Sequence, residues 1–383
     1  MNRKTAVGPV NTGGKKQRNS SLDIIRILAF LMVFFTHFFL YSGFYEMKIV
    51  GTQAFFMSVV RCCGITCIPL FLFLTGYLMK EKELNLKYYS GIKRILVTYF
   101  FASGICYLYD CYASEELPDA HGFFKGLLGF RSADYSWYVE MYIGLFLLIP
   151  FLNVIWSNLK NRRQRIALIV SLAFITLVPQ NLNVFVFNVE NWWQQPSLSN
   201  SFMPIFPQWW SIIYPLTYYF IGCYIREYGI KINKWLNIAL IIVTALAFGG
   251  YCYYRSTPGK FLRGSWQNNT SAFALTLGIL IFALILNADI KIKTPFLRTS
   301  CTKIAELSLG AYLVSCVSDE MLYEYIKSSM EVTQLDFGNV FCLYGINVKA
   351  LHKVGDNVLI LFGVTDYLYC LVNVKEYFSK TEK

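Results

Sequence analysis

Residues 20–42 read S-S-L-D-I-I-R-I-L-A-F-L-M-V-F-F-T-H-F-F-L-Y-S. At 1.5 Å per residue, a helix of this length crosses the roughly 30 Å hydrocarbon core of a bilayer. The run is read as a membrane-spanning helix, uncleaved, being too long for the apolar core of a secretory signal. The run nevertheless carries Asp23, Arg26 and His37. An ionisable side chain in a spanning helix is costly to insert and therefore marks a functional site. Eleven residues separate Arg26 from His37. At 100° per residue that is about three turns, so both lie on nearly one face, about 16 Å apart along the axis. Asp23 lies one turn before Arg26 on the neighbouring part of that face.

Nine further apolar segments follow, at about 53–79, 94–109, 137–156, 165–180, 208–226, 235–254, 271–288, 303–318 and 356–374. The chain is 55% hydrophobic and only 15% charged, where a soluble domain carries about 25% charged residues. The fold class expected is all-α: a polytopic integral membrane protein of about ten transmembrane helices. Basic residues alternate along it. Arg3, Lys4, Lys15, Lys16 and Arg18 precede the first span, whereas 43–52 holds only Lys48. Lys80, Lys82, Lys87, Lys93 and Arg94 follow the second span, and the 110–135 connection is acidic. Lys160, Arg162, Arg163 and Arg165 then crowd one turn, while 181–207 has neither Lys nor Arg. By the positive-inside rule both termini are cytoplasmic, in a cell (plasma or inner) membrane. Residues 1–19 read as a flexible basic cytoplasmic tail, 20–375 as the membrane domain and 376–383 as a second cytoplasmic tail.

The net charge of +12 does not indicate nucleic acid, because the basic residues form short clusters between apolar runs and not one soluble basic surface. No metal is expected either. Histidines occur only at 37, 121 and 352, and the eleven cysteines are scattered without a C-x-x-C pair. Buried as small hydrophobes, cysteines suit the apolar runs that hold most of them. His121 and His352 fall in predicted outer loops. In 181–210, tryptophans stand among amides, as an interfacial aromatic belt or as a surface on which sugars stack.

Four more patterns stand out: Phe71-Leu72-Phe73-Leu74-Thr75-Gly76-Tyr77-Leu78, Lys93-Arg94-Ile95-Leu96-Val97-Thr98-Tyr99, the helix W-Y-V-E-M-Y-I-G-L-F-L-L-I-P from Trp137 to Pro150, and Ser308-Leu309-Gly310-Ala311-Tyr312-Leu313. Together with L-D-I-I-R-x-x-A-x-x-x-V-x-x-x-H in the first span, they resemble the acyltransferase-3 family of bacterial membrane proteins over roughly residues 20–318. The resemblance implies transfer of an acyl group, usually acetyl from acetyl-CoA, to a hydroxyl of a cell-surface glycan or lipid-linked sugar. It also implies that His37 is the family's first-span histidine. Two departures are visible. Gly91 stands where relatives often have the first arginine of Arg-x-x-Arg, leaving Lys93 as the nearest extra cation. Val314-Ser315 stands where several carry a second histidine.

The residue chemistry can be read beside that resemblance. Acyl transfer to an alcohol needs a base beside the attacking hydroxyl, and histidine suits neutral pH; the alternative is a histidine satisfied by a neighbouring polar group. Arg26 and Arg94, with Lys93, suit the phosphates of CoA or serve as positive-inside anchors. Asp23, a catalytic candidate with His37, either closes a Ser20-x-x-Asp23 capping box or orients Arg26. Trp137, Tyr138 and Glu140 are substrate-side candidates, Glu140 being alternatively a solvated interfacial acid. A transporter or flippase of an envelope sugar or lipid intermediate is the competing reading, since intramembrane charges also line transport paths, and an inactive scaffold is a third.

Overall fold

The computed structural model describes residues 19–198 and 202–330. The tails, the predicted tenth span at 356–374 and His352 lie outside them, as does most of 327–355. The described residues form thirteen α-helices with no strand beyond an isolated Lys48–Lys260 bridge. These are α1 Ser20–Tyr41, α2 Gly51–Gly64, α3 Cys67–Met79, α4 Leu86–Ser90, α5 Ile92–Ala113, α6 Ala120–Leu128, α7 Trp137–Asn158, α8 Arg162–Thr176, α9 Val178–Leu182, α10 Tyr214–Tyr228, α11 Lys234–Ser256, α12 Ala272–Asn287 and α13 Pro295–Met330. Each of the nine predicted apolar segments within the described residues is largely helical. Six stretches are long and apolar enough to span: α1, α2 with α3, α4 with α5, α7, α11, and Ser265–Asn287, which ends in α12. The predicted segments at 165–180 and 208–226 form α8 and α10, each of 15 residues and so only about 23 Å long. Predicted 303–318 lies inside the 36-residue α13.

Polar residues between the apolar runs start the helices. Asn19, Asn85, Asp119, Asn161, Asn233 and Ser271 each accept a first-turn backbone N–H, satisfying donors that the helix itself leaves open. The α1 cap is a correction to the sequence reading. Asn19 is the N-cap, accepting from Ser21 N–H at 2.9 Å, so Ser20 is already helical and does not head a capping box with Asp23.

α3 is the centre of the bundle, packed against α10, α1 and α12. Its 13 residues bury Leu70, Leu72, Phe73 and Leu74, and Pro69 is tolerated because it falls in the first turn, where its missing N–H costs no hydrogen bond. The approach of α10 to α3 is set by two glycines. A Cβ on Gly76 would stand 2.0 Å from Tyr219 O, and one on Gly222 2.2 Å from Phe73 O. Small residues let two backbones come this close, which membrane helices need where apolar burial between them drives little.

The loops sort by bundle end. At one end, Glu227 joins Lys80 and Arg165, Ile290 N–H donates to Ser21 Oγ, and Asn287 donates to Ile230 O. Asn153 fastens the same end, donating to Met79 O and Lys82 O and accepting from Tyr219. At the other end Ile49 N–H donates to Gly259 O, Asn183 bonds Phe206, and Ser197 donates to Thr257 O. The Lys80 and Arg165 connections thus share one end, and the 181–207 connection, without Lys or Arg, lies at the other beside the 257–271 connection, which carries Lys260 and Arg263.

Replacing Gly76 or Gly222 by alanine should abolish the monodisperse folded species in detergent size-exclusion chromatography. The obstacle is backbone, so the cost exceeds the roughly 1–3 kcal/mol of ordinary overpacking. Gly144→Ala, whose Cβ meets nothing within 4 Å, should leave the elution profile unchanged.

Candidate active site

His37 is 8% exposed, and its Nδ1 lies 3.0 Å from Asp319 Oδ2. An ionised carboxylate only accepts, so the imidazole donates from Nδ1 and its Nε2 is left for another partner. α1 carries the histidine and α13 the acid, and the two helices pack along each other. α13 also runs parallel to α5. Arg94 donates to Glu306 O at 3.4 Å near one end, and the Cys106 and Cys316 sulfurs meet at 3.3 Å further along.

A third strand of the site comes from the segment between α5 and α7, which the sequence places in an acidic outer connection. This segment does not stay outside. From Asp119, whose main chain bonds the Tyr107 hydroxyl at 2.8 and 3.0 Å, α6 runs back along α5. Phe123 packs on Tyr107 and Phe100, and Leu127 O accepts from the Tyr99 hydroxyl at 2.6 Å. The eight residues from Tyr107 back to Tyr99 correspond to about 12 Å. Gly122 N–H, donating to the Asp119 side chain at 2.8 Å, starts α6 and holds that carboxyl below its ordinary range. After α6 the chain turns, with Ser136 Oγ bonding Phe130 O and Ala133 O, both at 2.6 Å. Tyr135 is thereby set against the imidazole, with ring centroids 3.9 Å apart.

His37 lines a cavity of about 520 Å³. Arg26 and Arg94 line it, as do Phe30 and Val33 of α1, Phe71, Leu74 and Thr75 of α3, and Ile95 of α5. Trp137, Tyr138 and Tyr142 come from α7, and Ser308 and Tyr312 from α13. The residues picked from sequence therefore divide. Arg26, His37, Arg94, Trp137 and Tyr138 face one space. Lys93 and Glu140 are exposed and are not part of its wall. Glu140 occupies the first turn of α7, where a negative charge is favoured by the helix dipole. Asp23 is buried in the first turn of α1, some 21 Å along the axis from His37, and the carboxylate beside the imidazole is Asp319.

The family model described as an acyltransferase domain matches residues 19–346. The chain belongs to the acyltransferase-3 family. No curated protein and no solved structure matches it. This membrane acyltransferase thus carries His37 of its first helix on a cavity wall.

Asp319 and Tyr135 escaped the sequence reading for different reasons. Asp319 sits two turns after Tyr312 on one helix, a spacing that puts both on the same face, but it falls just past the apolar run. Tyr135 lies in a stretch whose polarity reads as a loop. Gly91 precedes α5 at the bundle surface; a Cβ there would meet Tyr88 O at 3.1 Å.

The outer tryptophans also divide. Trp192 is buried with its ring 4.8 Å from the Arg255 guanidinium, which stacks on Trp266 at 4.0 Å and donates to Val184 O. Arg255 is fully buried, so this clamp ties the 183–198 connection to α11. Trp209 and Trp210 remain exposed.

His37→Ala should lower acyl transfer by about 10²–10⁴-fold, the usual contribution of a positioned base. Asp319→Asn should fall at the lower end of that range. Steady-state transfer assays on protein whose melting temperature matches wild type check both; equal activity in either variant removes that residue from the reaction.

Proposed function

We propose that this acyltransferase is an O-acetyltransferase that uses acetyl-CoA from the cytoplasm to acetylate a hydroxyl of a cell-surface or lipid-linked glycan. The observation that carries the reading is one cavity with arginines on its wall and, about three turns along the same helix, a histidine whose Nδ1 is already engaged. His37 Nε2 takes the proton of the acceptor hydroxyl. The acceptor oxygen bonds to the acetyl carbonyl carbon, the carbon–sulfur bond breaks, and the imidazolium returns its proton to the departing thiolate. Asp319 holds the ring in the tautomer this requires and stabilises its charged form.

Arg26 and Arg94 bind the donor's phosphates through charge-assisted hydrogen bonds, with Lys93 adding positive charge outside the cavity. The apolar walls between the arginines and the histidine suit a pantetheine arm, and the roughly 16 Å between Arg26 and His37 gives it room. Trp137 and Tyr138 offer flat faces against which arm or acceptor packs, and Glu140 lies on the same helix at its surface end. Asp23, one turn from Arg26, orients that guanidinium. The orientation follows from charge: the end that gathers Lys80, Arg165 and Arg226 faces the cytoplasm, and about ten spans with both termini cytoplasmic complete the topology. Donor phosphates then bind at the inner end, and the acceptor reaches His37 from the outer half.

Acetyl-CoA should raise the melting temperature of the purified protein in nanodiscs. Arg26→Ala and Arg94→Ala should each weaken that binding by about 10–100-fold, the worth of hydrogen bonds to a charged group. Mass spectrometry of surface glycans made with and without the protein should differ by acetyl groups. Absence of both effects would favour transport of an envelope intermediate.

A further inference from the structure

The mechanism uses His37 and Asp319, yet the residue in contact with most of the pair is neither. Tyr135 is 6% exposed and meets the site in four ways. Its ring lies over the imidazole, 3.9 Å between centroids and tilted by 31°. Its hydroxyl is 3.0 Å from Asp319 Oδ2, the oxygen that His37 contacts, and 3.0 Å from the Tyr41 hydroxyl. Its backbone carbonyl accepts from the Tyr312 hydroxyl at 2.8 Å, and Tyr312 stacks on His37 from further off, at 6.3 Å.

The protons of this group can be assigned. A carboxylate has none to give, so Tyr135 spends its single hydroxyl proton on Asp319 and receives one from Tyr41. His37 and Tyr135 then both donate to one carboxylate oxygen. A buried carboxylate with one partner is free to swing about its bond. Two donors converging from different helices, one on α1 and one on the segment between α6 and α7, leave it one orientation. The stacked ring fixes the imidazole plane in the same way. The groups against His37 are thus Asp319 and Tyr312 from α13 and Tyr135 from the segment after α6, with Tyr41 of α1 bonded to Tyr135 and Cys67 of α3 on the shared cavity wall. Asp134 and Glu320 lie near Tyr41.

We infer that Tyr135 is a positioning residue, which fixes the Asp319 carboxylate and the His37 ring together so that Nε2 faces the acceptor hydroxyl. The run of α6 back along α5 brings the buried 132–136 segment, and with it Tyr135, to this place. The inference rests on the reading of His37 as the base, and a readout that does not depend on acyl transfer keeps the two separable.

That readout is the tautomer of the His37 ring. The chain has three histidines, so a background with His121→Gln and His352→Gln leaves His37 alone for nitrogen-15 NMR in nanodiscs. The Nδ1-protonated form is expected in this background. Asp319→Asn should lose it. Tyr135→Phe, which keeps the ring and removes the hydroxyl, should mix the tautomers and lower kcat by about tenfold, the loss expected for one hydrogen bond to a charged group. KM for acetyl-CoA should change less than twofold in the same variant, because the hydroxyl touches no part of the donor path. Tyr135→Leu, lacking the stacked ring as well, should fall further.

A wild-type tautomer ratio in Tyr135→Phe overturns the inference, whatever happens to the rate. A rate loss matched by an equal rise in KM overturns it too, since that marks general damage to the cavity. If Tyr135→Phe does not fold, Tyr41→Phe reads the chain from its outer end: a smaller change in tautomer ratio and kcat supports the inference, and no change in either overturns it. Should the wild type transfer no acetyl group at all, the functional reading fails, while the tautomer ratios in the same samples still decide the role of Tyr135.

Discussion

A carboxylate inside an apolar helical bundle must be paired, because an uncompensated one left in such a place costs about 3–5 kcal/mol. Asp319 meets that requirement with His37 and Tyr135, and much of the architecture follows. The pair fixes α1 against α13. The Tyr135 contact draws residues 132–136 into the bundle, after α6 has run back along α5. The Cys106–Cys316 contact and the Tyr312–Tyr135 hydrogen bond keep α5, α13 and the inward segment in one register. The site's geometry is therefore shared among three separate parts of the chain, and none of them could hold it alone.

Fastening of the bundle is divided between packing and polar contacts in a way that suits a membrane. In the middle, Gly76 and Gly222 let α3 and α10 meet backbone to backbone, gaining dispersion contacts where the hydrophobic effect offers little. At the ends, where water is near, Glu227 collects Lys80, Arg165 and the Trp156 indole, and Arg255 is held between tryptophans. The cavity lies between these two regimes, its apolar walls drawn from the packed middle and its arginines from helices α1 and α5.

Much of this was legible in the residues. Apolar runs located the helices because period and length are local properties. The crowding of basic residues in some connections and their absence from 181–207 separated those loops by end, in agreement with the Glu227 cluster and the Asn183 contacts, while the 257–271 connection carries Lys260 and Arg263 at the same end as 181–207. Arg26, His37, Arg94, Trp137 and Tyr138 were each conspicuous as polar or aromatic residues in apolar surroundings, and they share one cavity. Residues whose sequence surroundings are unremarkable were not legible. Tyr135 sits among polar neighbours, and Asp319 lies beyond the end of an apolar run. The helix start at Asn19 was misplaced by one residue because a serine and an asparagine offer the same capping chemistry.

By itself, the sequence determined that this protein is a bundle of membrane helices, which end of it carries the positive charge, and that the first span holds an arginine and a histidine on one face. These depend on hydropathy, charge and helical period, which act over a few residues. Only the tertiary structure decided which acid meets His37, that α6 runs back along α5, and that the arginines and the histidine open onto one space. Those are contacts between residues as far apart in the chain as 37 and 319, and they are set by how the helices pack, which no local pattern encodes.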